Sequence, residues 1–232
     1  VGAIQEDYFV WGPANFIYYP EKQNEIPIQL TLPAAVLTDD VVLQILVRKG
    51  EETPLRRGNE LTRNFGNVLV MTQSSENSCV RLLDGRSPDL SIGDPHKILL
   101  IAPNSELDNV ITSEEQPVPP ASIFGSEPEH DWCFYYQKAD LARQRGDWEE
   151  VARLGAEAEK LGLHPNDQIE LMPFLQAYAF LGDQKQVKGI STRINTQLFY
   201  REQACNHLNS MTDHGYPLSA EMQNFVDELF CK

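Results

Sequence analysis

The sequence predicts an α+β protein in two parts. A mixed α+β domain spans residues 1–118, an all-α helical-repeat domain spans 129–232, and a proline-rich junction at 119–128 joins them. Three observations predict this. Before the junction, apolar residues come in short β-branched and aromatic runs separated by turn residues. After it they recur every three or four positions, the period of helices. Two Gly-Asp breaks, Gly146-Asp147 and Gly182-Asp183, divide the helical part at equivalent points, and repetition at that spacing is the signature of stacked helix pairs.

Along the first part, residues 26–32, 41–47, 68–72 and 80–83 are strand candidates, rich in Val, Ile and Leu. Thr38-Asp39-Asp40, Arg57-Gly58-Asn59, Phe65-Gly66-Asn67 and Asp84-Gly85 supply the turn chemistry between them. The apolar runs 8–19 and 96–102 read as short helices, limited at their starts by Pro13 and Pro95. The segment from Pro117 to Pro128, PVPPASIFGSEP, holds four prolines in twelve residues, so neither a helix nor a central strand runs easily through it.

In the second part, Tyr135, Ala139 and Ala142 mark one face of a first helix, which Gly146 ends. Asp147 caps the next, whose stripe is Trp148, Val151, Leu154, Ala158 and Leu161. A second pair follows around Gly182-Asp183, with Pro173 expected to kink its first helix or delay its start. Helices around 194–211 and 222–229 continue the stack, the last capped by Ser219.

With 232 residues, 41% of them hydrophobic, the chain has ample material for a core. No run approaches the ~18 apolar residues of a membrane span, and direct membrane insertion by this segment is not expected. The chain begins at Val1 with no signal-like start, which suggests a processed or excised chain. Net charge is -15, with 9 basic against 17 acidic residues before Gly125 and 10 against 17 from it onward. A surface acidic in both halves repels phosphate backbones, so nucleic acid is not an expected partner. Cys79, Cys133, Cys205 and Cys231 lie too far apart for a CxxC motif and fit either buried thiols or one or two disulfides, Cys79 with Cys133 being one pairing.

The helical part resembles the tetratricopeptide repeat. With Gly146 at that motif's turn glycine, Tyr135, Ala139, Trp148 and Ala158 match its large, small, aromatic and small positions, while Pro165 falls two residues late and Val151 replaces a small residue. The string EPEHDWCFYYQKADLARQRGDWEEVARLGAEA, then PNDQIELMPFLQAYAFLGD, resembles the C-terminal soluble part of bacterial polytopic glycosyltransferase-like membrane proteins. Shorter likenesses are PANFIYYPE at 13–21, NVLVMTQSSENSCVRLLDG at 67–85 and the lead-in that ends at Pro128. The resemblance implies membrane spans upstream, an extracytoplasmic position for this chain, and catalytic acids outside it.

Candidate sites are few. Asp39-Asp40 reads as a turn or strand-entry pair, and Glu127, Glu129 and Asp131 beside His130 read as helix-start charges. His130, Cys133, Cys205 and His207 lack the spacing of zinc knuckles. No G-x-S-x-G elbow, Walker pattern or G-x-G-x-x-G occurs, and no catalytic residue, metal or cofactor is expected. Among Trp132, Phe134, Tyr135 and Tyr136, two should pack inside the repeat and the others against the first domain. The expected interaction surface is Tyr136, Gln137, Asp140, Arg143, Gln144, Gln176 and Phe180, on the first-helix side of each pair.

The reading that follows is a non-catalytic, extracytoplasmic region of a glycosyltransferase-like membrane protein. Its partner would be a protein, a peptide or the membrane part of the same polypeptide. The alternatives are a free-standing cytoplasmic adaptor of the same repeat type, and an accessory domain that binds a glycan or lipid-linked sugar through Trp11, Tyr18 and Tyr19.

Overall fold

The structure is a computed structural model that describes residues 37–53, 55, 56, 59, 60, 62–110 and 118–232, with isolated positions between 13 and 21. Within these, the order is α1 (Asp39–Leu46), β1 (Glu51–Glu52), β2 (Leu55–Arg56), β3 (Asn59–Glu60), β4 (Arg63–Asn64), β5 (Met71–Thr72), β6 (Arg81–Leu82), α2 (His96–Ile101), α3 (Ala121–Phe124), α4 (Trp132–Gln144), α5 (Trp148–Lys160), α6 (Met172–Phe180), α7 (Gln184–Ile194), α8 (Leu198–Ser210) and α9 (Ala220–Phe230). The fold is α+β and mostly helical, with small antiparallel strand pairs. The strand expected at 26–32, most of the run 8–19, and Trp11 and Tyr18 lie outside the described residues.

The chain forms two compact units, Val1–Val68 with Ser113–Glu129, and Leu69–Thr112 with His130–Lys232. Residues 69–112 therefore belong with the helices, although they precede the proline-rich stretch at which the sequence places its junction.

In the first unit, residues 41–46 of the strand expected at 41–47 are helical, and Val47 is the C-cap. Thr38 Oγ1 accepts from the Val41 amide at 3.3 Å, and Asp39 and Asp40 occupy the first turn, where negative charge is favoured. Val41, Val42 and Ile45 are buried while Leu43, Leu46 and Val47 are exposed, so the β-branched run is one face of a helix. The strands pair in register as Glu51↔Asn64 with Glu52↔Arg63, and Leu55↔Glu60 with Arg56↔Asn59. Within the proline-rich stretch a single turn, α3, follows Pro120 and stops at Gly125, where φ is +82°.

In the second unit, β5 and β6 pair as Met71↔Leu82 and Thr72↔Arg81, within the strand candidates 68–72 and 80–83, and α2 lies within the helix expected at 96–102. The rest is three successive helix pairs, α4–α5, α6–α7 and α8–α9, each packed on the next. The local signals act as their chemistry dictates. Asp131, Asp147, Asp183 and Ser219 each accept a bond from a first-turn amide, and Gly146 and Gly182 take positive φ at the breaks. Pro173 delays α6: the chain runs as a 3₁₀ turn over Gln168–Leu171, and the proline sits in the first turn of the helix, where its missing N–H costs nothing. Two expectations fail in this unit, the first being one helix through 194–211, since α7 ends at Ile194 and α8 starts at Leu198. The second is Leu161, which is exposed because it is the C-cap of α5 and lies beyond the stripe of Trp148, Val151, Leu154 and Ala158, which is buried.

Segment 69–112 is fastened to the helices. A disulfide joins Cys79 to Cys133 on α4, and a second joins Cys205 on α8 to Cys231 after α9. Glu170, fully buried, accepts from the Cys79 amide at 2.7 Å. Gln203 brackets Leu90, accepting from its amide and donating to its carbonyl, both at 2.9 Å. Among the described residues no helix is long and apolar enough to cross a membrane.

Candidate functional site

The second unit encloses a network of charges rather than a wholly apolar interior. Arg81 has no exposed side-chain surface. Its Nη2 pairs with Asp94 Oδ1 at 2.7 Å and its Nη1 donates to the Asp89 carbonyl at 2.8 Å. Asp94 is further satisfied by the Thr72 hydroxyl and the Ser91 amide. One turn of chain away, Arg143 on α4 donates through Nη2 to Asp89 Oδ2 at 2.7 Å and to Asp140, and through Nη1 to Gln176 Oε1 at 3.0 Å. Two carboxylates around one guanidinium raise the proton affinity of Arg143, and this outweighs burial. Burial pushes the Asp140 carboxyl up, against the pull of Arg143. Tyr136, buried beside these acids, is held well above the usual phenol range by burial and then by their charges.

Above this network opens a cavity of about 450 Å³. Arg143 and Gln144 reach it from the end of α4, Trp148 from the start of α5, Gln176 from α6 and His207 from α8, while the turn 84–87 contributes Asp84, Arg86 and Ser87. The chain after α8 closes another side with Met211, His214 and Tyr216. Trp148, Phe180 and Tyr216 form a cluster with ring centroids 5.0 to 5.8 Å apart. At the mouth, Arg86 bridges Asp84 at 2.9 Å and Asp108 at 3.2 Å. Burial pushes Asp84 up, but hydrogen bonds from Arg86 prevail and hold its carboxyl below the usual range.

His207 is almost fully buried. Its Nδ1 lies 2.8 Å from Ser87 Oγ and its Nε2 lies 3.5 Å from Asp89 Oδ1, a buried oxygen that makes no hydrogen bond. Burial lowers its proton affinity and Arg143 adds to this, while the Asp89 charge opposes both. The imidazole is therefore neutral near pH 7, with one ring nitrogen beside the Ser87 hydroxyl and the other beside Asp89.

Of the seven surface residues expected from the sequence, Arg143, Gln144 and Gln176 line this cavity and Phe180 backs its aromatic wall. Tyr136 and Asp140 lie beneath it, buried in the charge network. Gln137 stands apart, in a shallower depression beside the Cys79–Cys133 disulfide, where it reaches the Val80 carbonyl at 3.4 Å. Trp132, Tyr135 and Tyr136 are all buried, and Trp132 donates to Glu170 at 2.7 Å, whereas Phe134 is stacked on His130. Asp39 and Asp40 begin α1, and Asp131 caps α4. The four residues weighed as zinc ligands are held in other contacts: Cys133 and Cys205 are in separate disulfides, His130 is stacked on Phe134 and His207 is in the cavity wall. Tyr19 is exposed.

Ser87, Asp89 and His207 were not legible as a group. Ser87 and His207 are 120 residues apart, no motif surrounds them, and only the Asp84-Gly85 turn before Ser87 hinted that this loop reverses sharply. Compared with known proteins, the chain matches no family model, no curated protein and no solved structure.

Proposed function

We propose that the second unit is a tetratricopeptide-like recognition module belonging to a glycosyltransferase-like membrane protein. On this reading it carries no glycosyl-transfer centre of its own and holds a peptide segment, from a partner or from the membrane part of the same polypeptide. One observation carries the reading. Arg143, Gln144 and Gln176, which come from the first helices of consecutive pairs, converge on one cavity rather than pointing separately into solvent, and repeat proteins present ligand-reading side chains from those helices. The equivalent Gly-Asp breaks with identical capping at Asp147 and Asp183 support the repeat kinship, and the likeness of residues 127–158 and 165–183 to glycosyltransferase-like membrane proteins supports the other half of the reading.

An extracytoplasmic position fits the four cysteines, all of which are paired, since such bonds persist in oxidising compartments. Maleimide–polyethylene glycol should shift the protein on a gel only after reduction. Full modification of the freshly isolated, unreduced protein would overturn that placement.

To test recognition, a photo-crosslinking amino acid is placed at Gln144 at the cavity and, separately, at exposed Leu161 in the full-length polypeptide in its own membranes. Mass spectrometry should find one defined peptide joined at 144 and not at 161. Equal or indiscriminate products at the two positions would sink the reading.

A further inference from the structure

We propose that Ser87, His207 and Asp89 form a nucleophilic triad that hydrolyses small acyl esters in the cavity of the second unit. The proposal goes beyond recognition and does not rest on it, because hydrolysis needs only water and an ester.

The geometry supplies each role. Ser87 Oγ is 2.8 Å from His207 Nδ1, within the reach required of a nucleophile and its base. On the other side of the ring, Asp89 Oδ1 faces Nε2 at 3.5 Å. That separation is long, but such bonds are commonly loose before substrate arrives. Asp89 is itself held in place, since Arg143 takes its other oxygen at 2.7 Å. Ser87 and His207 both line the cavity of about 450 Å³, which admits a small acyl group and its alcohol. The arrangement mirrors the familiar triad with the two ring nitrogens exchanged, and it is by geometry and role that such triads are recognised.

In the first step Ser87 Oγ forms a bond to the ester carbonyl carbon and its proton passes to His207 Nδ1. The imidazolium is stabilised by the Asp89 carboxylate. The carbonyl oxygen, carrying the electron pair, lies in the cavity that Arg143 and Gln176 also line. The C–O bond to the alcohol then breaks, and the alkoxide leaves with the proton from Nδ1. Water repeats the sequence on the acyl-serine, giving its proton to Nδ1, and the acid departs as Ser87 regains its hydrogen. Nothing is oxidised or reduced.

The test uses the full chain with p-nitrophenyl acetate and with a fluorophosphonate probe. Wild-type protein should release p-nitrophenol catalytically, with a burst equal to the enzyme concentration, and peptide mapping should place the probe on Ser87. Ser87→Ala, a half-buried loop change whose fold is checked by circular dichroism, should lose the burst and the label. His207→Gln should slow acylation by ~10²–10⁴-fold. Since His207 is buried and its variant can unfold, Ser87→Cys gives a second reading: it should keep a burst and become sensitive to iodoacetamide. Absence of label on Ser87, or equal hydrolysis by wild type and Ser87→Ala, would overturn the proposal.

Discussion

Trp132 and Glu170 meet in the interior of the helical unit, the indole Nε1 donating to Oε2 at 2.7 Å while the Cys79 amide donates to the other oxygen at the same distance. One buried carboxylate thus joins α4, the 3₁₀ turn before α6 and the loop next to the Cys79–Cys133 disulfide. Replacing it tests whether this junction carries the attachment of segment 69–112. In Glu170→Gln one amide oxygen remains an acceptor, while the amide NH₂ faces a donor. The expected loss is about 1–3 kcal/mol, seen as a lower urea midpoint with an unchanged slope. A midpoint equal to wild type would mean the junction is not a source of stability.

A second buried pair behaves differently from a surface salt bridge. Arg81 and Asp94 have no exposed side-chain surface, so removing one partner strands the other charge. Arg81→Met should cost about 3–5 kcal/mol, and the double variant Arg81→Met with Asp94→Leu should recover part of that. Recovery stays incomplete because Thr72 Oγ1 and the Ser91 amide also lose their acceptor. Chemical denaturation of the three proteins checks this, and a double variant less stable than the single would contradict it.

The helical half was readable because its signals are local. Asp147 and Ser219 act through bonds from amides three positions on, Gly146 through its positive φ and Pro173 through its missing N–H, and the stripe from Trp148 to Ala158 follows from helical period alone. Residues 41–47 misled because β-branched residues suit both a strand and the buried face of a short helix, and the deciding signal was Thr38 before Asp39 and Asp40. Of the cavity lining, Arg143, Gln144 and Gln176 are among the residues singled out from the sequence. The residues opposite them, Ser87, Asp89 and His207, come from a loop and a distant helix, and no spacing rule connects those.

The two disulfides close different lengths of chain, 54 residues for Cys79–Cys133 and 26 for Cys205–Cys231. In the loop-entropy account they contribute about 4 and about 3.5 kcal/mol. Cys79→Ser with Cys133→Ser should therefore lower the thermal midpoint at least as far as the Cys205→Ser, Cys231→Ser protein. The larger effect should also open segment 69–112 to protease, since the bond fastens that segment to α4. A protease pattern the same as wild type would count against this fastening role.

Stability should depend on pH through His207. Burial holds its proton affinity below the ordinary value of 6.5, with Asp89 and Asp84 opposing and Arg143 reinforcing. As pH falls, the unfolded chain takes up this proton first, so the unfolded state is favoured increasingly below about pH 6.5. The loss stops once the folded protein protonates too. Unfolding free energy should fall between pH 7.5 and 5.5 in wild type, and fall less in His207→Gln. Parallel curves for the two proteins would remove His207 as the cause.

Two helical glycines should respond to the same substitution with opposite signs. Glycine within a helix normally costs about 1 kcal/mol relative to alanine, and Gly189, exposed on α7, has nothing nearer to an added Cβ than Gln186 Oε1 at 4.0 Å. Gly189→Ala should therefore stabilise by up to about 1 kcal/mol. At Gly155 on α5 the added carbon would lie 2.7 Å from Phe174 Cδ1 and 2.8 Å from the Tyr178 hydroxyl, and the Phe174 ring is buried on α6 with the Trp132 ring tilted against it at 5.4 Å. The ring has little room to move, so α5 and α6 must separate. Overpacking of this kind costs about 1–3 kcal/mol, more than the helix propensity returns. Thermal melts of the two variants should shift in opposite directions, and a stabilised Gly155→Ala would show that α5 and α6 do not depend on this close approach.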